Sequence, residues 1–136
     1  MIVNIYYLIV GILSIIFSFT HAVNGQNSLL KYIDSSNFDL TSKTTIFYLW
    51  HIVTAENLIF GIVFIIMALY KKQSRVVFTA GLIASVMIAR WVVIFGSTLA
   101  RNINGLSDLL IDSIAILVYV VLTILGMRKK DGYRYD

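Results

Sequence analysis

The sequence predicts an all-α integral membrane protein, a four-helix bundle running up-down-up-down with both termini cytoplasmic. Three observations predict it. Of 136 residues 59% are hydrophobic, and the mean hydropathy is +0.85, more apolar surface than a soluble domain of this size can hide. Four apolar stretches, about 3–23, 46–70, 76–99 and 106–127, each approach or exceed the roughly 20 residues that a helix needs to cross hydrocarbon. No period-two alternation with turn signals is present, which argues against a barrel. The expected organisation is one four-span domain over 1–136.

Span one is Val3 to Val23. An alternative reading makes residues 1–22 a removable signal segment ending at Thr20-His21-Ala22, but no lysine or arginine precedes it, as such segments require. The connection from Asn24 to Thr45 is long for a bundle. Within it, Ser28-Leu29-Leu30-Lys31-Tyr32-Ile33 reads as one or two amphipathic turns on the membrane surface. Span two runs from Ile46 to Tyr70 and span three from Val76 to Leu99. Arg101-Asn102-Ile103-Asn104-Gly105 reads as a tight turn before span four, Leu106 to Met127.

Charge sets the orientation. Lys71, Lys72 and Arg75 separate spans two and three, and Arg128, Lys129, Lys130 and Arg134 follow span four. Basic residues concentrate on the cytoplasmic side, so this end is read as inner; the Ile- and Asn-rich composition of a small chain suggests a prokaryotic cell membrane. The expected partner is the lipid bilayer, with anionic headgroups at the basic clusters. The modest net charge of +4, placed as topology demands, excludes nucleic acid. Tyr6, Tyr7 and Tyr70 suit the inner interface, and Phe47, Tyr48 and Trp50 the outer one. The absence of cysteine excludes disulfides, thiolate metal sites and cysteine nucleophiles.

Six ionisable residues fall inside the expected spans: His21, His51, Glu56, Arg90, Asp108 and Asp112. Intramembrane charge is costly, so such residues turn inward and pair. At about 1.5 Å per residue, Glu56, Arg90 and Asp112 lie about 21–22 Å from the inner ends of their spans, and His21, His51 and Asp108 about one turn higher. The expectation is a polar outer half above an inner half sealed by Ile, Val, Leu and Phe.

Glu56 with Arg90 reads as an ion pair that fixes helix register. Asp112 at the same depth adds a second carboxylate, so one of the two acids would be surplus or protonated. Arg90 could then receive a small anionic or amphipathic ligand, and Glu56 could carry protons. His21, His51 and Asp108 could relay protons or hold a divalent metal, and two histidines on adjacent helices could ligate haem. The ordinary reading is interfacial histidines, with Asp108 answering the dipole of the first turn of span four. Trp50 and Trp91 could wall a pocket or sit in the aromatic belt. Asn57 lies on the arc between His51 and Glu56. Gly61, Gly81, Gly96 and the Ser14/Ser18 pair permit close helix approach and a homo-oligomer.

Three functions therefore stand: a ligand- or proton-binding membrane protein with its site in the outer half, a metal or haem enzyme or redox subunit using His21 and His51, and a structural or assembly subunit. In size, and in having a glutamate within a span, the chain resembles small multidrug exporters. Those carry the glutamate in the first helix and this chain carries Glu56 in the second, so no residue role transfers.

Overall fold

The computed structural model describes residues 3–129. Lys130 and Arg134, counted in the charge argument, lie outside the described residues. Five helices form: α1 (Ile5–Asn27), α2 (Leu29–Ser35), α3 (Leu40–Leu69), α4 (Val77–Arg101) and α5 (Leu110–Met127). Short 3₁₀ turns occupy Gln73–Arg75 and Ile103–Leu106. The four long helices are long and apolar enough to cross a membrane, and among the described residues there is no strand. The chain is a small, all-α integral membrane protein.

The helix ends differ from the hydropathy boundaries for local chemical reasons. α3 starts at Leu40, within the expected connection. Asp39 is its cap: the Ser42 backbone N–H donates to Asp39 Oδ1 at 3.0 Å and the Ser42 hydroxyl to Oδ2 at 2.6 Å. A capping carboxylate satisfies a donor that the first turn leaves open. The same connection contains α2, which buries Leu30 and Ile33 and exposes Leu29 and Tyr32. α5 starts only at Leu110, because the chain first makes the 3₁₀ turn and a second turn through Ser107–Leu109. Asp108 is therefore exposed in a turn before the helix, not inside a span, and Asp112 takes its place in the first helical turn.

The Asp39 cap has a pH signature. Its carboxyl is held below the usual carboxylate value by the Ser42 hydroxyl and then by the Ser42 N–H. A depressed folded value means that the cap stabilises α3 above the ordinary aspartate range and is lost as pH falls through the folded value. Asp39→Ala is expected to lower the melting temperature at neutral pH, with the gap to the parent closing in strong acid. Thermal melts in micelles at pH 7 and below 3 check this.

Two compact units make up the fold. The hairpin unit, Gly11–Ile65, contains most of α1, all of α2 and most of α3. Its long helices run antiparallel, shown by the pairing of Ser18 with Thr54 and of His21 with Trp50. They touch at two glycines: a Cβ built on Gly11 would lie 2.9 Å from the Gly61 carbonyl oxygen, and one on Gly61 would lie 2.9 Å from that of Gly11. Only hydrogen at both positions allows backbones this close. Above the crossing, the Ser18 hydroxyl donates to the Thr54 carbonyl at 2.8 Å, a bond of the kind that contributes about 0.6 kcal/mol in a membrane.

The terminal unit, Met1–Val10 with Ile66–Asp136, gathers the first turns of α1, the end of α3, and α4 and α5. Its basic end is closed by amides. Asn4 caps α1 by accepting the Tyr7 N–H on Oδ1 at 3.4 Å. Asn4 Nδ2 donates to Gln73 Oε1 at 2.8 Å and to the Gly126 carbonyl at 2.9 Å. Gln73 Nε2 donates to the carbonyls of Met67 and Tyr70. The Val3 and Asn4 N–H groups donate to the Ala68 carbonyl, and Lys129 Nζ donates to the Val3 carbonyl. Asn4 and Gln73 are 0% and 1% exposed. This end is thus not sealed by aliphatic side chains alone, as the sequence led us to expect. Tyr7, read as an interfacial belt residue, is fully buried, its ring filling the space that the missing side chain of Gly126 leaves.

Candidate functional site

Periodicity places the charged groups of the terminal unit. On α4, Ala80, Ile83, Met87, Arg90, Ile94, Ser97 and Arg101 recur at three-and-four spacing and define one stripe. On α5, Asp112, Ala115, Tyr119, Thr123 and Gly126 do the same. At the basic end both stripes are packed: Ala80 and Thr123 are 0% exposed and Tyr119 1%. Toward the far end both lose their cover. Arg90 is half-buried and Ile94, Ser97 and Arg101 are exposed; Ala115 is half-buried and Asp112 is exposed.

The two stripes are in register at this transition. The Trp91 indole N–H donates to the Ser113 hydroxyl at 2.9 Å. Arg90 precedes Trp91 and Asp112 precedes Ser113, so each charge lies within about 1.5 Å of that level along its helix. Trp91 also stacks on Phe95, with ring centroids 5.3 Å apart. The charges differ in their circumstances. Arg90 is engaged within the fold, whereas no ion pair or side-chain hydrogen bond reaches Asp112 from the described residues. Asp108 receives only a long contact from the Ser107 hydroxyl, 3.5 Å.

In the hairpin unit the histidines part company. The His21 ring lies flat on the Trp50 indole, centroids 4.1 Å apart and planes 5° apart. The Trp50 N–H donates to the His21 carbonyl at 3.0 Å, and Gly25 makes room for the indole, since a Cβ there would sit 1.9 Å from its nitrogen. Trp50, read as a pocket wall or a belt residue, thus anchors His21. His51 instead meets Phe47 edge-on, centroids 4.5 Å apart. Glu56 is half-buried and engaged, and Asn57 is buried and engaged.

The expected site residues therefore divide between the units. His21, Trp50, His51, Glu56 and Asn57 belong to the hairpin unit, and Arg90, Trp91, Asp108 and Asp112 to the terminal unit. Within neither unit do three His, Asp or Glu side chains of the described residues gather as a metal-ligand set. Sequence reasoning missed the Asn4–Gln73–Gly126 junction. The available signal was an uncharged glutamine in an otherwise basic connection, and an asparagine opening an apolar run.

Comparison with family models, with curated proteins and with solved structures gave no match. The fold itself defines the class, a multi-pass membrane protein of four apolar helices.

Proposed function

We propose that this membrane protein binds a small polar or amphipathic ligand, or exchanges protons, where the α4 and α5 stripes lose their cover. The observation that carries the reading is Asp112. Its stripe is fully packed at Tyr119 and Thr123, and the stripe ends in an exposed carboxylate level with Arg90. Asp112 stands in the first turn of α5, at the edge of an apolar span, as a titratable group that receives no donor from the described residues. Trp91 and Ser113 hold the helices at this level, Asp112 supplies the titratable oxygen, and Arg90 sets the local field.

The surroundings support an orientation. Lys71, Lys72, Arg75, Arg128 and Lys129 are all exposed at the amide-closed end. By the positive-inside rule that end is cytoplasmic, and the site opens outward or laterally to lipid.

Dicyclohexylcarbodiimide, an apolar reagent for protonated carboxyl groups, tests the reading on protein in lipid nanodiscs. The adduct is expected at Asp112 and not at Asp39, located by peptide mass spectrometry. An unmodified Asp112 overturns the reading. An assembly role is the second reading, favoured by Gly96, which has open space around the position of a Cβ; it predicts that Gly96→Leu lowers the oligomeric mass in nanodiscs.

A further inference from the structure

We infer that the basic, amide-closed end of the terminal unit holds one anionic phospholipid whose headgroup carries two phosphates. This goes beyond the function read at Asp112, which lies at the other end of α5. The ground for it is the amide junction. Asn4 Nδ2 donates both to Gln73 Oε1 at 2.8 Å and to the Gly126 carbonyl at 2.9 Å. One buried amide thus fastens the connection between α3 and α4 to the end of α5. Lys71, Lys72 and Arg75 lie within two residues of Gln73, and Arg128 and Lys129 within three of Gly126. Two basic clusters far apart in sequence become one, and all five side chains are exposed.

Charge sets the class of ligand. No ion pair reaches any of the five from the described residues, and the acids of this unit among those residues, Asp108 and Asp112, lie around the opposite end of α5. Lys129 Nζ donates to the Val3 carbonyl, a neutral group that leaves its charge unanswered. Lys130, Asp131, Arg134 and Asp136, outside the described residues, cancel in formal charge. Orienting the protein requires only that cations lie on one side. Holding them together against their mutual repulsion goes further, and a multivalent anion offsets that repulsion. The neighbouring side chains point to a lipid. Arg75 and Phe78 are three residues apart at the start of α4, and Leu125 and Arg128 three apart at the end of α5, a spacing that puts each pair on one helix face. Phe78 is 81% exposed and Leu125 38%. Each helix therefore sets a cation for a phosphate beside an apolar side chain for an acyl chain. Two such pairs at one junction fit two linked phosphatidyl groups.

Native mass spectrometry of the full chain in detergent micelles tests this, with tetraoleoyl cardiolipin as the two-phosphate probe and dioleoyl phosphatidylglycerol as the one-phosphate probe. One cardiolipin per chain is expected to bind, at least about fivefold tighter than phosphatidylglycerol. Lys72→Gln and Arg128→Gln, one from each cluster, should each weaken that same adduct about fivefold, the loss of one cation. Lys31→Gln, in α2, should leave it unchanged. Inorganic pyrophosphate should not displace the lipid; displacement would assign the site to free phosphate and overturn the inference. Equal affinity for the two lipids, two adducts each sensitive to one cluster, an adduct indifferent to both changes, or saturable binding of neither lipid also overturns it. The changed side chains are exposed, so unfolding in sodium dodecyl sulfate should match the parent and assign lost binding to charge. Lys71→Gln takes the place of Lys72→Gln where that match fails.

Discussion

Gly61→Ala is expected to loosen the hairpin unit by about 2–3 kcal/mol, a large effect for a single methyl group. The reason is what the methyl meets. A Cβ on Gly61 would sit 2.6 Å from Ile15 Cγ1, 2.9 Å from the Gly11 carbonyl oxygen and 3.1 Å from the Ile15 nitrogen. A side chain can rotate away, but backbone cannot, so α1 and α3 must separate. Separation stretches the Ser18–Thr54 hydrogen bond next along the helices. Gly11→Ala should act alike, because its Cβ meets the Gly61 oxygen at 2.9 Å and the Ile65 nitrogen at 3.0 Å. Gly96→Ala is the control. Nothing lies within 4 Å of its Cβ position, and its effect should stay within about 0.5 kcal/mol. Titration with sodium dodecyl sulfate, followed by circular dichroism, measures all three. Equal stability of Gly61→Ala and Gly96→Ala would mean that the glycine crossing is not a tight contact.

Asn4→Leu should cost about 2–3 kcal/mol, because it strands buried polar groups instead of merely deleting bonds. Asn4 is fully buried and spends all its polar atoms, Oδ1 on the Tyr7 N–H and Nδ2 on Gln73 and the Gly126 carbonyl. Leucine is close to isosteric, so volume is conserved and chemistry is isolated. Gln73 Oε1 would lose the Asn4 amide as a donor while Gln73 stays 1% exposed. Gln73→Leu should also destabilise, since its Nε2 serves the Met67 and Tyr70 carbonyls. Combined, the two changes should cost less than their sum by about 1 kcal/mol, the signature of a shared contact. Strict additivity would show that the two amides act independently.

The spans were legible because an apolar run of about 20 residues has few alternatives. Their ends were not, because hydropathy is blind to capping. Asp39 and Ser42 are polar, yet they carry α3 outward to Leu40; the turn read at Arg101–Gly105 is a 3₁₀ turn, but the chain turns again through Ser107–Leu109, so the helix expected from Leu106 starts only at Leu110. Asp108 left its expected helix for that reason. The glycine crossing was half legible: Gly61 was recognisable as a small residue, but its partner Gly11 is set by pairing register, which one sequence does not show. Of the site, Asp112 and Arg90 announced themselves as charges within apolar spans. The amide junction did not, because a neutral Asn or Gln near an interface looks like any surface polar residue until burial is known. Tyr7 misled in the same way, read as an interface anchor and fully buried. Trp50 was read as a pocket wall or a belt residue; its face-to-face stacking on His21 depends on the room left by Gly25.

The amide junction constrains biogenesis. Asn4 leaves the ribosome long before Gly126, whose carbonyl it binds across 122 positions of sequence. α1 must therefore enter the bilayer carrying an amide whose final partners, Gln73 and the Gly126 carbonyl, have not been synthesised. Completion of the last helix is then the event that locks the first, so a nascent chain arrested before α5 would hold all its other spans and still lack that closure.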